Sequence, residues 1–418
     1  MNEFPYVIDS PEQISLAAER LRQTVMAKEI TPESVLEVFE TWAAALGGRD
    51  TADIPGVAFL RLWLRRGTLE PVIRRELGRG ALHGEWMEDG RAKLKAYPIG
   101  VVGHWPAGNI EIQPILSMTC ALLGGNASVV RIPSDLVEQT GRLMKKLDQV
   151  DSARVLTERI FMAAFDHARQ DLQEAMARAV DGAMIWGGEE AVLAVRGLPF
   201  PHWVRLAVFG PRISVAAIDG DTWCNREERE SWCRRIARDV WQFDQQACSS
   251  PQVLFLERKA GHSPAEFLED LRKAFEAENR LHPRPTIHPA LTSAICQARA
   301  SWLLADPGNG ALFSMGPDWT LLFGCGSGIP KPTQGRTLTI LEVEDLFDPI
   351  SKLDEGVQTL GLAMKDPGRE ERLASAAARR GVNRVVKLGR MHVFAPPWDG
   401  VDLIRPMVRV VRHVFSMD

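Results

Sequence analysis

From Tyr97 onward, short β-branched runs alternate with helical stretches, and that rhythm restricts the chain to parallel sheets with crossover helices. The spacing predicts a strand over Ile99 to His104, a helix over Glu111 to Leu123 and a strand over Ser128 to Ile132, one βαβ unit. A second cycle takes the strand Ala183 to Trp186, a helix opening after Gly187-Gly188, and strands Val204 to Phe209 and Ile213 to Ile218. An amphipathic helix from Arg226 to Phe243 then leads past Cys248 to a strand over Val253 to Leu256. Further helices (Pro264 to Ala277, Pro289 to Ala300, Arg369 to Arg380) alternate with strands Thr320 to Phe323, Thr337 to Val343 and Arg384 to Leu388. The fold class is therefore α/β.

Ahead of this rhythm lies a helical segment. Ser10-Pro11-Glu12-Gln13 is a capping box with proline at the first helical position, and Thr31-Pro32 opens a second helix whose apolar stripe stops at Gly47-Gly48. Two helices thus precede any strand, and stripes over Val57 to Trp63 and Leu69 to Leu77 add two more. At the other end, the apolar run from Val401 to Phe415 alternates from Met407 and reads as a strand seeking a partner, either the domain that carries Cys248 or a second subunit. At roughly 150 residues per domain, 418 residues imply more than one. We divide the chain into a helical segment over 1–92, a nucleotide-binding domain over 93–219, a cysteine-bearing domain over 220–395 and a C-terminal strand segment over 396–418.

Several function classes fall away. The net charge of −4 comes from well-mixed charges, so a polyanionic partner such as nucleic acid is not expected. The most apolar stretch, Ile99 to Val130, contains Pro106, Glu111, Pro114 and five glycines, so no membrane span is expected. The opening Met-Asn-Glu-Phe-Pro lacks the charge and apolar core of a signal peptide, and six dispersed cysteines without C-x-x-C spacing fit a reducing compartment; a cytoplasmic location follows as an expectation. The nine histidines show no ligand spacing, and His83-Gly84-Glu85 lacks the P-C-x-x-C partner of a zinc deaminase, so no metal is expected. Gly324-Cys325-Gly326-Ser327-Gly328 follows a strand but runs into Ile329-Pro330-Lys331-Pro332, where no phosphate-facing helix could start. Neither a Walker loop nor a G-x-S-x-G elbow occurs.

Cys248 stands where an amphipathic helix gives way to small residues ahead of a buried strand, in Asp244-Gln245-Gln246-Ala247-Cys248-Ser249-Ser250. By itself a cysteine is more often a small buried hydrophobe than a nucleophile. Context adds to it. Gln246-Ala247-Cys248 before a strand resembles the catalytic-cysteine segment of the aldehyde dehydrogenase superfamily. Pro98 to Asn109, with Leu122-Leu123-Gly124-Gly125-Asn126-Ala127-Ser128-Val129-Val130-Arg131 downstream, resembles its asparagine loop and following βαβ unit. Gly-His-Trp-x-Ala-Gly-Asn, Ile-Trp-Gly-Gly-Glu-Glu, Phe-Gly-Pro-Arg-Ile-Ser and Asp-Gln-Gln-Ala-Cys-Ser-Ser are most similar to the LuxC-type acyl-CoA reductases, over about residues 95 to 410.

This resemblance implies an aldehyde dehydrogenase-like fold, with a cofactor-binding α/β domain and a catalytic α/β domain, and NADPH-dependent reduction of an acyl thioester to an aldehyde. Cys248 matches the nucleophile. Asn109 matches the asparagine whose side-chain N–H, with the Cys248 backbone N–H, forms an oxyanion hole; read alone, such an asparagine is a turn former. Arg131 falls where the superfamily has a lysine gripping the adenosine ribose, and its fork suits a 2′-phosphate, favouring NADPH over NADH. Ser134 adds a hydroxyl nearby, and Gly187 and Gly188 match the turn near the cofactor pyrophosphate. Ala207 sits at or next to the position of the glutamate of aldehyde-oxidising members, leaving no evident base to hydrolyse an acyl-cysteine. Glu344 to Pro349 only partly matches the superfamily's ribose-binding glutamate motif, and no role is assigned there. His104 and Asp244 are candidate proton handlers whose simpler reading is structural. The acyl donor is acyl-CoA, an acyl carrier protein or an acyl-transferring partner enzyme, and the family tips the chain towards a homodimer. The alternatives are a cysteine acyltransferase or thioesterase without hydride transfer, and a non-catalytic scaffold homologue.

Overall fold

The computed structural model describes residues 5–284 and 286–414. They fall into two units: one runs up to Gly210 and resumes at Phe394, the other is Pro211–Val393. In the first, the strands are β1 (Tyr6–Val7), β2 (Met87–Asp89), β3 (Ala92–Pro98), β4 (Val101–Trp105), β5 (Ala127–Ile132), β6 (Ile160–Ala164), β7 (Gly182–Trp186) and β8 (Arg205–Phe209). A six-stranded sheet takes the order β1-β6-β5-β4-β7-β8, parallel throughout. The chain moves outward from β4 through β5 and β6, then returns to the other side of β4 for β7 and β8. The reversal between β4 and β7 is a topological switch point, where the crevice outside the carboxyl ends of the strands binds ligands in open α/β sheets.

The helical entry forms as its sequence signals dictate. Helix Pro11–Ala27 carries the capping box, and Thr31 caps helix Pro32–Ala45 by accepting from the Ser34 N–H. Ile14, Ala18 and Leu21 pack against Val101, Val129 and Ala163 in one core, burying the first helix against the sheet. β1 corrects the expectation that two helices precede any strand: two residues, too short to show a period, pair with β6. β2 and β3 likewise fall partly within the segment expected to be helical.

The second unit holds β9 (Ile213–Ile218), β10 (Pro251–Glu257), β11 (Gly310–Phe313), β12 (Thr320–Cys325), β13 (Thr337–Val343), β14 (Val357–Ala363) and β15 (Arg384–Lys387), in the order β11-β12-β13-β10-β9-β14-β15. Only β11 is antiparallel. Both faces are covered. Ala216, Ile218, Leu254, Leu256, Leu338 and Ile340 face one core, while Val215, Ala217, Val253, Phe255, Leu341 and Val343 face the other. Neighbouring residues on one strand thus enter opposite cores, which is why these strands read as continuous apolar runs. Ile213–Ile218, expected in the nucleotide-binding domain, is instead central to this second sheet, between β10 and β14. Nothing in its apolar pattern distinguishes one buried parallel sheet from another.

The C-terminal run is β16 (Val408–Val414), and it pairs antiparallel with β3, from Val408 opposite Pro98 to Val414 opposite Ala92. It completes a three-stranded sheet, β16-β3-β2, in the first unit, not the cysteine-bearing one as one alternative had it. Phe415, where the expected run ended, lies outside the described residues. Two buried polar side chains secure this return. Glu76 accepts from the backbone N–H groups of Leu403, Ile404 and Arg405 at 3.2, 2.6 and 3.0 Å. Asn126, fully buried, accepts from the Ile99 and Gly100 N–H groups and donates to the Ala121 and Met407 carbonyls. Asn126→Ala strands those buried groups and should cost about 3 kcal/mol. Hydrogen exchange checks it: protection should fall over β16 and β4 and stay unchanged over β9 to β15.

Candidate functional site

The first unit brings Asn109, Arg131, Ser134, Gly187 and Gly188 to one edge of its sheet. β5, β4 and β7 are adjacent and parallel, and these residues end or follow those three strands. Asn109 is exposed in the turn after β4, a loop secured by the Gln113 carboxamide accepting from the Ala107 N–H at 3.0 Å. Gly187 leaves β7 with its N–H on the Phe209 carbonyl, and Gly188 caps helix Glu189–Arg196. A side chain built at Gly188 would meet nothing within 4 Å, so the helix start is open. Its first turn carries Glu189 and Glu190, which oppose an anion placed on the helix axis.

Arg131 is largely buried near the end of β5, its guanidinium 5.9 Å from the Phe165 ring centroid. Its Nε is buried with no hydrogen-bond partner. Burial holds the guanidinium below the usual arginine range, partly offset by Asp166. A buried charge with an unmet donor suits an incoming anion, and exposed Ser134 follows three residues on. These residues fit a nucleotide phosphate at the carboxyl edge of the sheet. A cavity of about 420 Å³ in the same unit is a different place: Gly100 and Asp181 in its lining immediately precede β4 and β7, and Gly125 lies two residues before β5, all at the opposite end of the strands.

His104 is structural. It is fully buried in β4, with Nδ1 2.7 Å from Ser117 Oγ and Nε2 3.2 Å from Ser128 Oγ. Burial pushes its pKa down to about 3, so it stays neutral and carries no proton to a site. Ala207, 4% exposed, lies mid-strand in β8 opposite Met184, so this position presents a methyl group and no carboxylate.

In the second unit, helix Arg226–Trp241 ends and the chain turns sharply into the cysteine segment. Phe243, Asp244 and Gln245 all adopt left-handed backbone, with φ of 55°, 56° and 62°. Such conformations cost non-glycine residues about 1 kcal/mol or more apiece and persist where the surroundings over-determine them. Here they do. Asp244 is ion-paired with Arg284 (Nε at 2.7 Å) and Arg336 (Nε at 2.6 Å), which makes it an anchor of the turn. The buried Gln245 carboxamide donates to the Pro251 and Thr337 carbonyls, each at 2.8 Å, and accepts from the Thr337 N–H at 2.7 Å. Cys248 follows, half-buried, its carbonyl accepting from Ser214 Oγ at 2.7 Å. Two of the sequence motifs therefore meet: Ser214, from Phe-Gly-Pro-Arg-Ile-Ser, holds the cysteine backbone, and Gln245, from Asp-Gln-Gln-Ala-Cys, fixes the turn before it. Sequence reading assigned neither role, although both residues lay within the quoted motifs.

The partial match at Glu344 to Pro349 resolves into ion pairing, with Arg258 on Glu344 and Arg369 on Asp345. Among the described residues no group of three or more His, Cys, Asp or Glu side chains is arranged to hold a metal ion. No helix among them is long and apolar enough to cross a membrane.

A family model described as acyl-CoA reductase (LuxC) matches residues 39–410. Relatives include the long-chain acyl-protein thioester reductase of Aliivibrio fischeri, 24% identical over 353 residues that cover 83% of this chain and 71% of that protein. The enzyme of the same name from Vibrio harveyi is 23% identical over 358 residues, covering 84% and 71%. Among solved structures, an NADP-dependent enzyme from E. coli superimposes with a TM-score of 0.74 at 13% identity, covering 98% of this chain and 91% of that one. Aldehyde dehydrogenase 21 from Physcomitrella patens gives a TM-score of 0.72 at 13% identity, with the same coverage. The fold is that of the aldehyde dehydrogenases.

Proposed function

The chain belongs to the acyl-CoA reductase (LuxC) family, and from that premise we propose that it reduces an acyl thioester to an aldehyde through a thioester on Cys248. The observation that carries this reading is a half-buried cysteine, in a segment that resembles the superfamily's catalytic-cysteine motif, on a turn pinned on both sides by buried polar contacts. The Cys248 thiolate forms a bond to the acyl carbon while the donor's carbon–sulfur bond breaks, and the departing thiolate takes up a proton. Bound NADPH supplies the hydride that reduces the thioester carbonyl. Asn109 donates its side-chain N–H to the oxyanion so formed, whose collapse breaks the bond to Cys248 and releases aldehyde. Ala207 offers no base to activate water, so the thioester survives long enough to be reduced.

Arg131, Ser134, Gly187 and Gly188 hold the nucleotide in this proposal, Arg131 taking the 2′-phosphate of NADPH. The Aliivibrio and Vibrio relatives are named for acyl-protein thioesters, so we put an acylated protein, a carrier or a partner enzyme, ahead of acyl-CoA as donor. We place the protein in the cytoplasm and expect a homodimer, which light scattering reads directly. NADPH-dependent aldehyde release from acylated carrier protein and from acyl-CoA tests the reaction, and release from neither contradicts it. The cofactor assignment has its own test. Arg131→Ala should weaken NADPH binding roughly ten- to hundredfold, the value of a charge-assisted contact, and leave NADH binding nearly unchanged. Equal affinity of the native protein for both nucleotides, measured by fluorescence titration, contradicts it.

A further inference from the structure

The turn that carries Cys248 is held at its far side by a side chain more than a hundred residues away in sequence. Ser249 and His392 are 4% and 5% exposed, and Ser249 Oγ lies 2.9 Å from His392 Nδ1. The other ring nitrogen, Nε2, is 2.7 Å from the backbone carbonyl of Asp239. That carbonyl lies in the last turn of helix Arg226–Trp241, which ends where Gln242 turns to extended backbone. A carbonyl oxygen only accepts, so Nε2 carries the hydrogen. Burial keeps the ring neutral by pushing its pKa down to about 4, so Nδ1 is an acceptor and the Ser249 hydroxyl donates to it.

The histidine is itself fixed on the same helix end. The Asp239 carboxylate accepts from the N–H groups of Gly389 at 2.6 Å and Met391 at 3.3 Å, binding the loop that carries His392. Gly389 has φ of 86°, and a side chain there would strike Arg235 at 2.8 Å, so the loop lies close against the helix. The Phe243 ring meets His392 edge-on, 5.6 Å between centroids. Helix end, imidazole and Ser249 hydroxyl thus form one directed chain that ends beside Cys248.

We propose that His392 and Ser249 are positioning residues for the Cys248 thiol, transmitting the fixed end of helix Arg226–Trp241 to the turn that bears it. This rests on the reading of Cys248 as the nucleophile, and its test is independent of turnover. The quantity read is the rate at which iodoacetamide alkylates Cys248 between pH 6 and 10, resolved by peptide mass spectrometry, with exposed Cys296 and Cys325 as references. His392→Gln retains a donor towards Asp239 and loses the acceptor for Ser249, whereas His392→Asn retains the acceptor and loses the donor. Ser249→Ala removes the link with the smallest change in volume.

Ser249→Ala and His392→Gln should each change the plateau rate at Cys248 about five- to tenfold, one hydrogen bond's worth, and leave the reference thiols unchanged. The double variant should match either single variant, because both break one link. His392→Asn, which keeps the contact to Ser249 but breaks the link to the Asp239 carbonyl, should change the rate to a similar extent. An unchanged rate in Ser249→Ala overturns the proposal, as does a double variant in which the two effects multiply. Aldehyde formation by Cys248→Ala would instead overturn the nucleophile reading on which it rests.

Discussion

Cys248→Ala is expected to abolish both the acyl adduct and aldehyde formation, while Cys120, Cys224, Cys233, Cys296 and Cys325 each tolerate alanine. Environment separates the six. Cys120 is fully buried and burial drives its thiol well up, and the Cys233 thiol is likewise pushed up by burial, so neither presents a thiolate at working pH. Burial also raises Cys224. Cys296 and Cys325 are exposed, on helix Pro289–Ala305 and at the end of β12, with no turn built around them comparable to the one at Cys248. Cys248 alone among the six follows three left-handed residues and has its carbonyl held by a buried serine. Intact mass after incubation with acyl-CoA, together with an aldehyde assay, checks the series. A retained adduct in Cys248→Ala sinks the assignment.

Asn109→Ala should slow turnover roughly 10²- to 10³-fold, the loss expected for one oxyanion donor, with little change in melting temperature. Exposure in a turn after β4 explains the second half, and the Gln113 carboxamide, which accepts from the Ala107 N–H, helps to secure that loop. Steady-state kinetics should show the loss in kcat, with the affinity for NADPH unaltered. A near-normal rate would reduce Asn109 to a turn former.

Strands with strong β-branched or apolar runs were legible from the sequence: Thr337–Val343 forms as expected, and Val253 to Leu256 lies inside Pro251–Glu257. Those that escaped notice have weak local signals. β6 reads Ile-Phe-Met-Ala-Ala, low in β-branched residues, and β14 is interrupted by Gly361. That glycine answers to packing, since a side chain there would lie 2.7 Å from Met391 Sδ. The division of strands between sheets was not legible, because β9 is as apolar as the strands of the first sheet and its place is set by pairing with β10 and β14.

At the candidate site, the motifs named Cys248, Asn109 and Arg131, while the residues that hold the cysteine turn were hidden for a physical reason. Ser214, Arg284, Arg336 and His392 reach it from distant parts of the chain. No local period or spacing marks a side chain whose partner lies tens of residues away or, for His392, more than a hundred. The left-handed run at Phe243 to Gln245 was equally hidden, since none of these residues is a glycine and the helical pattern was expected to continue to Phe243.

The central claim is that an acyl group rests on Cys248 until hydride reaches it. Intact mass of the native protein, recorded after incubation with an acyl thioester and again after NADPH is added, tests that claim most directly. The account predicts a single acyl adduct on the Cys248 peptide that persists in buffer and disappears on NADPH addition, with aldehyde appearing in equal amount. An adduct lost at the same rate with and without NADPH, yielding free acid, would contradict it.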